Sequence, residues 1–457
     1  MINILGLMVL YIGIGLPIYL MLEDEQWNWQ KRIGESFFLG IFFVIVLLNL
    51  VQLTNLNMNM TAVFYGLSIV SVISILVYIY INKEKISTAK VLKVLAVHNI
   101  FYVFTSLLIL LQLYNIIQQN QSLPLVPWDS WNGWVAKAKI WFYHGINEPL
   151  IGRIGWLKVE SMFTNSTVDY PDGLPLLYLF NSGNFGWDET QLNALYPAMF
   201  MAFLLGFYGN IKLLTHSKNL AWVGTVMLIT IPLIITHVTL AGYADIWVAE
   251  YLALTIFSAQ HSLSKLTIKS LILVVIFASA MILFKLESWV WLAIFFIALS
   301  LALISKVKRQ WIYVSIVLFV IIMYFTGGLS ITLPIGEIVF KPSLIKIPGL
   351  GSFSLSYVDT TAVWLDALFY SKNWNLLWYT IPFVVYFATK LKDKTLVILP
   401  GLFMVFASLF IFILFYFTYA SIFANDFTSS NRIVLQIVPV YIYLIVQVIN
   451  QIRLQKV

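Results

Sequence analysis

Long apolar runs constrain this chain more than any other feature. They fall at 2–22, 36–53, 61–81, 94–116, 191–211, 220–239, 246–260, 270–284, 288–304, 311–327, 375–389, 395–419 and 433–449. Each approaches the length needed to cross roughly 30 Å of hydrocarbon as a helix, which predicts about thirteen transmembrane helices. A lipid-exposed backbone must satisfy its own hydrogen bonds, so the expected fold is an all-α polytopic membrane protein. Composition agrees, at 61% hydrophobic and 10% charged residues. With a mean hydropathy of +0.89, the chain carries more apolar surface than a soluble core can use. The first run has no basic leader and no small-residue cleavage site, and it reads as a permanent span. The absence of cysteine excludes disulfides, a thiolate metal site and thiol catalysis. No repeat, low-complexity tract or independent soluble domain interrupts residues 1–457, so one integral membrane domain is expected.

The loops set an orientation. With the N-terminus outside, most of the 27 Lys and Arg collect on inside loops, among them Lys31, Arg32, Lys83, Lys85, Lys90, Lys93, Lys306, Lys308 and Arg309. That distribution satisfies the positive-inside rule. The net charge of +7 is therefore largely topological, and no nucleic-acid partner is needed to explain it. Most of the 20 Asp and Glu fall on the other side. Chance combined with two long outer loops, 117–190 and 328–374, is one explanation; an acidic, outward-facing site is the other. The first loop has the mix expected of interfacial helices. The second carries "GEIVFKPSLIKIPGLG", which reads as a hairpin-like excursion.

Five short stretches bring ionisable residues to the outer side. In "VPWDSWNGWVAKAKIWFYHG" (126–145), Trp128, Trp131 and Trp134 recur every three residues, as in an aromatic belt at headgroup level. Asp129 is placed to cap the following helix, and Lys137 and Lys139 to snorkel toward lipid phosphates. "VDYPDGLPLLYLF" (168–180) adds Asp169, Tyr170 and Asp172 in a proline–glycine turn, for which a solvated loop is the plainer reading. "AGYADIWVAEY" (241–251) sets Asp245 at the outer start of a span with Glu250 deeper in the membrane, where carboxylates tend to mark function. "LFKLESWVW" (283–291) holds Lys285 and Glu287 between two apolar runs, as a structural ion pair or as part of a site. "FANDFTSSNRIVLQIVP" (423–439) places Asp426 and Arg432 before the last span. Arg432 there is either an interfacial anchor or a planar fork for a phosphate.

These segments resemble bacterial polyprenyl-phosphate-sugar-dependent glycosyltransferases of the GT-C fold, relatives of the protein O-mannosyltransferases and of the lipid A aminoarabinose transferase. "WDSWNGWVAKAKIWF" is similar to the first-loop segment of that group. "DYPDGLPLL", "GYAD", the K-x-E of "FKLESW" and "S-x-x-R…Q-x-x-P" follow in the same order over about 128–440. Ser288 stands where the group has glycine, and Asp172 with Gly173 lengthens the proline turn. The group's usual first-loop acid pair is represented by Asp129 alone.

The resemblance implies an inverting transfer of a sugar from polyprenyl phosphate to a hydroxyl or amine of a glycan, lipid or protein, on the outer face of a bacterial plasma membrane. It implies Asp129 as base, and Arg432 with Lys285, or Lys137, as the cations for the donor phosphate. Glu287, Asp245, Asp169, Tyr170, Asp172 and Trp128 would then hold the sugar or the acceptor. It implies no certain cofactor and leaves a divalent cation open. Two other classes fit a multispan protein with outward charges. A transporter or flippase of lipid-linked saccharide would be expected to carry mid-span charges and broken helices in repeated halves. An O-antigen polymerase or ligase would be expected to carry arginines and histidine in a late loop, and 328–374 contains neither.

Overall fold

The computed structural model describes residues 2–22, 28–56, 58–83, 100–152, 163–264, 267–304, 308, 312, 329–333, 336–341, 343–347, 351–425, 427 and 429–455. The expected run 311–327, the start of 94–116, Asp426, Lys85, Lys90, Lys93, Lys306 and Arg309 lie outside these residues.

The apolar runs become helices. In order they are α1 (Ile2–Leu22), α2 (Trp29–Leu53), α3 (Met60–Ile81) and α4 (Ile100–Ser122). Two shorter ones follow, α5 (Val135–His144) and α6 (Gly173–Phe185). Then come α7 (Leu195–Thr215), α8 (Lys218–Ile229), α9 (Pro232–Thr239) and α10 (Asp245–Ser264). The chain continues through α11 (Ile268–Ile282), α12 (Ser288–Leu303), α13 (Ile381–Lys390) and α14 (Thr395–Phe417). It closes with α15 (Ser430–Leu435) and α16 (Val438–Gln455). Side-chain caps define several starts: Asn28 for α2, Asn59 for α3, Ser217 for α8 and a Thr267–Ser270 capping box for α11.

The expected thirteen spans are corrected here. Among the described residues, 6 helices are long and apolar enough to cross a membrane, or up to 7 if α8 and α9 make one span bent by 65°. The reasons differ from run to run. Thr230, Ile231 and Pro232 break 220–239, and the proline opens α9 where its missing N–H costs nothing. Helices α11 and α12, at 15 and 16 residues, fall short because the segment holding Lys285 and Glu287 separates them. The run 375–389 contains an α-helix of only 10 residues. Helices α10 and α16 have the length but carry too many polar side chains, among them Asp245, Glu250 and His261 in one and Gln447, Asn450 and Arg453 in the other.

Those polar helices sit inside the bundle. Residues 245–260 of α10 are all buried, whereas the apolar windows of α3 and α4 are each only 11% buried. A helix screened from lipid by neighbours tolerates carboxylates that a lipid-facing helix does not. Close contacts at small residues hold the outer layer to the centre. A Cβ on Gly34 of α2 would lie 2.4 Å from Gly206 of α7, and one on Gly40 would lie 2.0 Å from the Tyr11 carbonyl oxygen of α1. Small residues let membrane helices approach in this way.

Two departures concern the long loops 117–190 and 328–374. The second loop departs from an all-helical chain with a four-stranded antiparallel meander, β1 (Leu329–Leu333), β2 (Gly336–Lys341), β3 (Leu344–Ile347) and β4 (Gly351–Ser354), in the order β1-β2-β3-β4. Its register pairs Ile331 with Ile338, Phe340 with Ile345 and Ile345 with Phe353. In the first loop, the stretch 168–180 is a turn only as far as Asp172; from Gly173 it is α6, whose residues from Gly173 to Gly183 are buried. Helix α6 is thus a core element and not an interfacial one. A Cβ on Gly173 would meet the Leu283 carbonyl oxygen at 2.3 Å, and one on Gly183 would meet that of Met60 at 2.6 Å.

Candidate functional site

The N-terminus of α10 organises the site. Asp245 is fully buried, yet every lone-pair direction of its carboxylate is used. Lys285 Nζ lies 3.0 Å and Gln436 Nε2 2.7 Å from Oδ1, while Arg432 Nε and Nη2 donate to Oδ2 at 3.0 and 2.8 Å. Gln436 is itself oriented by a hydrogen bond from Trp291 Nε1 of α12. A buried carboxylate costs several kcal/mol in desolvation, and two cations plus a neutral donor offset it here. Arg432 lies over the Tyr243 ring, 4.9 Å from its centroid, and Tyr243 in turn faces His237 at 4.7 Å.

Asp129 joins from the segment between α4 and α5. Its side chain makes no capping hydrogen bond, so the capping reading is corrected. Its Oδ2 instead lies 2.6 Å from Arg432 Nη2, with the Asp129 side chain 31% exposed and that of Arg432 21% exposed. The turn that presents it, Ser130–Trp134, is π-helical. Gly242, at φ +108°, brings "GYAD" against this turn. A Cβ there would sit 2.1 Å from Ser130 Oγ, so only glycine permits the approach.

Lys285 and Glu287 come from the break between α11 and α12. Their charged groups are 3.5 Å apart, and Glu287 is 36% exposed. Burial alone would lower the Lys285 pKa, but Asp245 and Glu287 outweigh it, and the ammonium is held above its ordinary value. The same break accepts the Gly173 N–H on Leu283 O at 2.9 Å, which docks the "DYPDGLP" turn beside it. Burial raises the Tyr170 phenol pKa, and the Glu287 carboxylate adds to the rise. The charges of Arg432, Lys285 and Asp129 also act on that phenol.

Lys137 has a different use from the one expected. It is buried, and its ammonium donates to Val168 O (3.4 Å), Tyr170 O (3.3 Å) and Asp172 Oδ1 (2.7 Å). Three donors are thereby spent on the turn carrying Tyr170, leaving none for a phosphate. Asp172 serves as the counter-ion of that latch. Lys139 pairs with Glu189 at 3.3 Å, on another side of α5.

The remaining expected residues scatter. Trp128 is 60% exposed and packs edge-on against Trp131, with centroids 4.3 Å apart. Asp169 is exposed and has no ion pair with the cluster. Glu250 is completely buried, and both its oxygens lack a hydrogen-bond partner among the described residues. Ser288 is buried, and its hydroxyl has no hydrogen-bond partner among the described residues. Among the described residues, no group of three or more His, Asp or Glu is arranged to hold a metal. Three residues of the network had no assigned role in the sequence: Gln436, Tyr243 and Trp291. A signal existed for two of them, since Gln436 follows Arg432 by one helical turn and Tyr243 precedes Asp245 by two residues.

The arrangement therefore holds two cations and three carboxylates contributed by four remote stretches of chain. Burial grades from Asp245 inside to Asp129 and Glu287 at the mouth. Its open side can bind an anion on a guanidinium and offer a carboxylate as proton acceptor within the same few ångströms. Comparison with protein-family models, curated proteins and solved structures gives no match for this chain.

Proposed function

We propose that the chain is an inverting glycosyltransferase that moves a sugar from a polyprenyl-phosphate donor to an acceptor at the outer face of a bacterial plasma membrane. The observation that carries this reading is the convergence of Asp129, Arg432, Asp245 and Lys285 on one partly open cluster. The resemblance in "WDSWNGWVAKAKIWF" and the four later motifs supports it, as does the collection of basic residues on the opposite loops.

In this mechanism the acceptor oxygen or nitrogen attacks the anomeric carbon as the bond to the phosphate oxygen breaks. The electron pair of that bond stays on the phosphate, releasing polyprenyl phosphate. The acceptor's proton passes to the Asp129 carboxylate, a contribution of roughly 10²–10⁴-fold. The phosphate changes from a diester of polyprenol and sugar to a polyprenyl monoester, so it gains negative charge as the bond breaks. Arg432 and Lys285 meet that charge with donors already fixed by Asp245. Asp245 acts through these cations as a positioning residue, and Glu287 and Tyr170 border the space for sugar and acceptor. Lys137, Asp172 and the adjoining Asp169 belong to the turn that seats Tyr170.

The bend of 65° between α8 and α9 favours a second reading, transport of a lipid-linked saccharide, because discontinuous helices line transporter sites. A panel assay separates the two. Membranes containing the protein are incubated with different polyprenyl-phosphate sugars and mixed acceptors, and free polyprenyl phosphate is measured. Transfer predicts release from one donor; donors that stay intact throughout would overturn the enzymatic reading.

A further inference from the structure

Arg432 is shared unequally. Its Nε and Nη2 both reach Asp245 Oδ2, a carboxylate that is also tied to Lys285 and Gln436. Nη2 also lies 2.6 Å from Asp129 Oδ2 as an ion pair, and Nη1 makes no hydrogen bond among the described residues. Asp129 has no second anchor among the described residues: its side chain caps nothing and sits about a third exposed. A planar guanidinium edge is the geometry that holds a phosphate through two parallel bonds.

From this we infer that Asp129 is the resting occupant of the donor-phosphate position, and that an arriving phosphate displaces it from Arg432. The inference rests on the glycosyl-transfer reading and adds regulation to it. While Asp129 is clasped to Arg432, an acceptor hydroxyl or amine must compete with the guanidinium to reach its carboxylate. A phosphate on Nη1 and Nη2 releases the carboxylate into the space beside the donor. The base becomes competent only when the donor is in place. Asp245 keeps Arg432 in position throughout, since its other two partners do not depend on the exchange.

The clasp has an unusual signature. Removing the Asp129 charge should abolish turnover and yet tighten phosphate binding, because a competitor has been deleted. The test measures the affinity of a sugar-free polyprenyl phosphate for the purified full-length protein in detergent, by change in tryptophan fluorescence. Asp129→Asn and Asp129→Ala should each bind roughly 1.5- to fivefold tighter than wild type, the range for a partly exposed ion pair removed from competition. Arg432→Gln should lose binding. Thermal melting checks that each variant is folded, and two Asp129 substitutions guard against one failing. If affinity depends on Arg432 but neither Asp129 variant tightens, the clasp is overturned while the donor reading stands. If polyprenyl phosphate binds with no dependence on Arg432, both fall together.

Discussion

Helix α10 carries a buried ionic cluster at each end, and the two are built on opposite plans. At its N-terminus, Asp245 meets Lys285, Arg432 and, through Arg432, Asp129. Near its C-terminus, roughly 24 Å away along the axis, His261 contacts Asn210, which donates to Glu35, which pairs with Lys31. The second cluster is closed: Lys31 and Glu35 are 4% and 0% exposed, and they lie one turn apart on α2. The first is open on one side, from 1% exposure at Asp245 to 31% at Asp129. Both satisfy buried charges. Only the first spends ordering four remote segments to hold charges at a mouth, which is the arrangement expected of a site and not of a strut.

The sharpest way to break this contrast is at the mouth. Asp129→Asn should lower transfer by roughly 10²–10⁴-fold, with little change in melting temperature, because the partly exposed pair with Arg432 contributes at most about 1 kcal/mol. Wild-type turnover in this variant would remove Asp129 as the base. One step inward, Asp245→Asn leaves Lys285 and Arg432 without their shared counter-ion. It should cost about 3–5 kcal/mol of stability, read from denaturant melts, and abolish activity with it. A variant of native stability would mean that Asp245 does not organise the cluster. At the closed end, Glu35→Gln keeps the acceptor for Asn210 but drops the charge facing Lys31. Stability should fall by about 1–3 kcal/mol, while turnover of the folded fraction stays at the wild-type rate. A turnover loss there without a stability loss would erase the distinction between the clusters.

The sequence exposed these two ends unevenly. Lys285 and Glu287 were visible because two charges interrupt apolar runs with almost no loop, and the structure puts them in a break between α11 and α12. Helices α1 to α3 follow their apolar runs closely for the same reason, continuous hydrophobicity at spanning length. Asp129 read as a cap because its neighbours in the chain suggested a helix start. Its real partner, Arg432, is about three hundred residues away, and local pattern carries no trace of that pairing. Lys137 read as a snorkelling or phosphate-binding lysine because nothing nearby in sequence shows the Val168 and Tyr170 carbonyls that consume its donors. The span count erred in the other direction. Apolar runs do not disclose the bend at Pro232 or the polar faces of α10 and α16, which are tolerated because neighbouring helices shield them from lipid.

One measurement bears most directly on the claim that the open cluster transfers sugar. The protein is reconstituted in vesicles with a polyprenyl-phosphate sugar labelled at its anomeric carbon, an acceptor is supplied, and the label is followed by NMR. The account predicts a product of inverted anomeric configuration, appearing with an equal amount of polyprenyl phosphate. Donor that crosses the bilayer with its sugar–phosphate bond intact, or product that retains configuration, would contradict it.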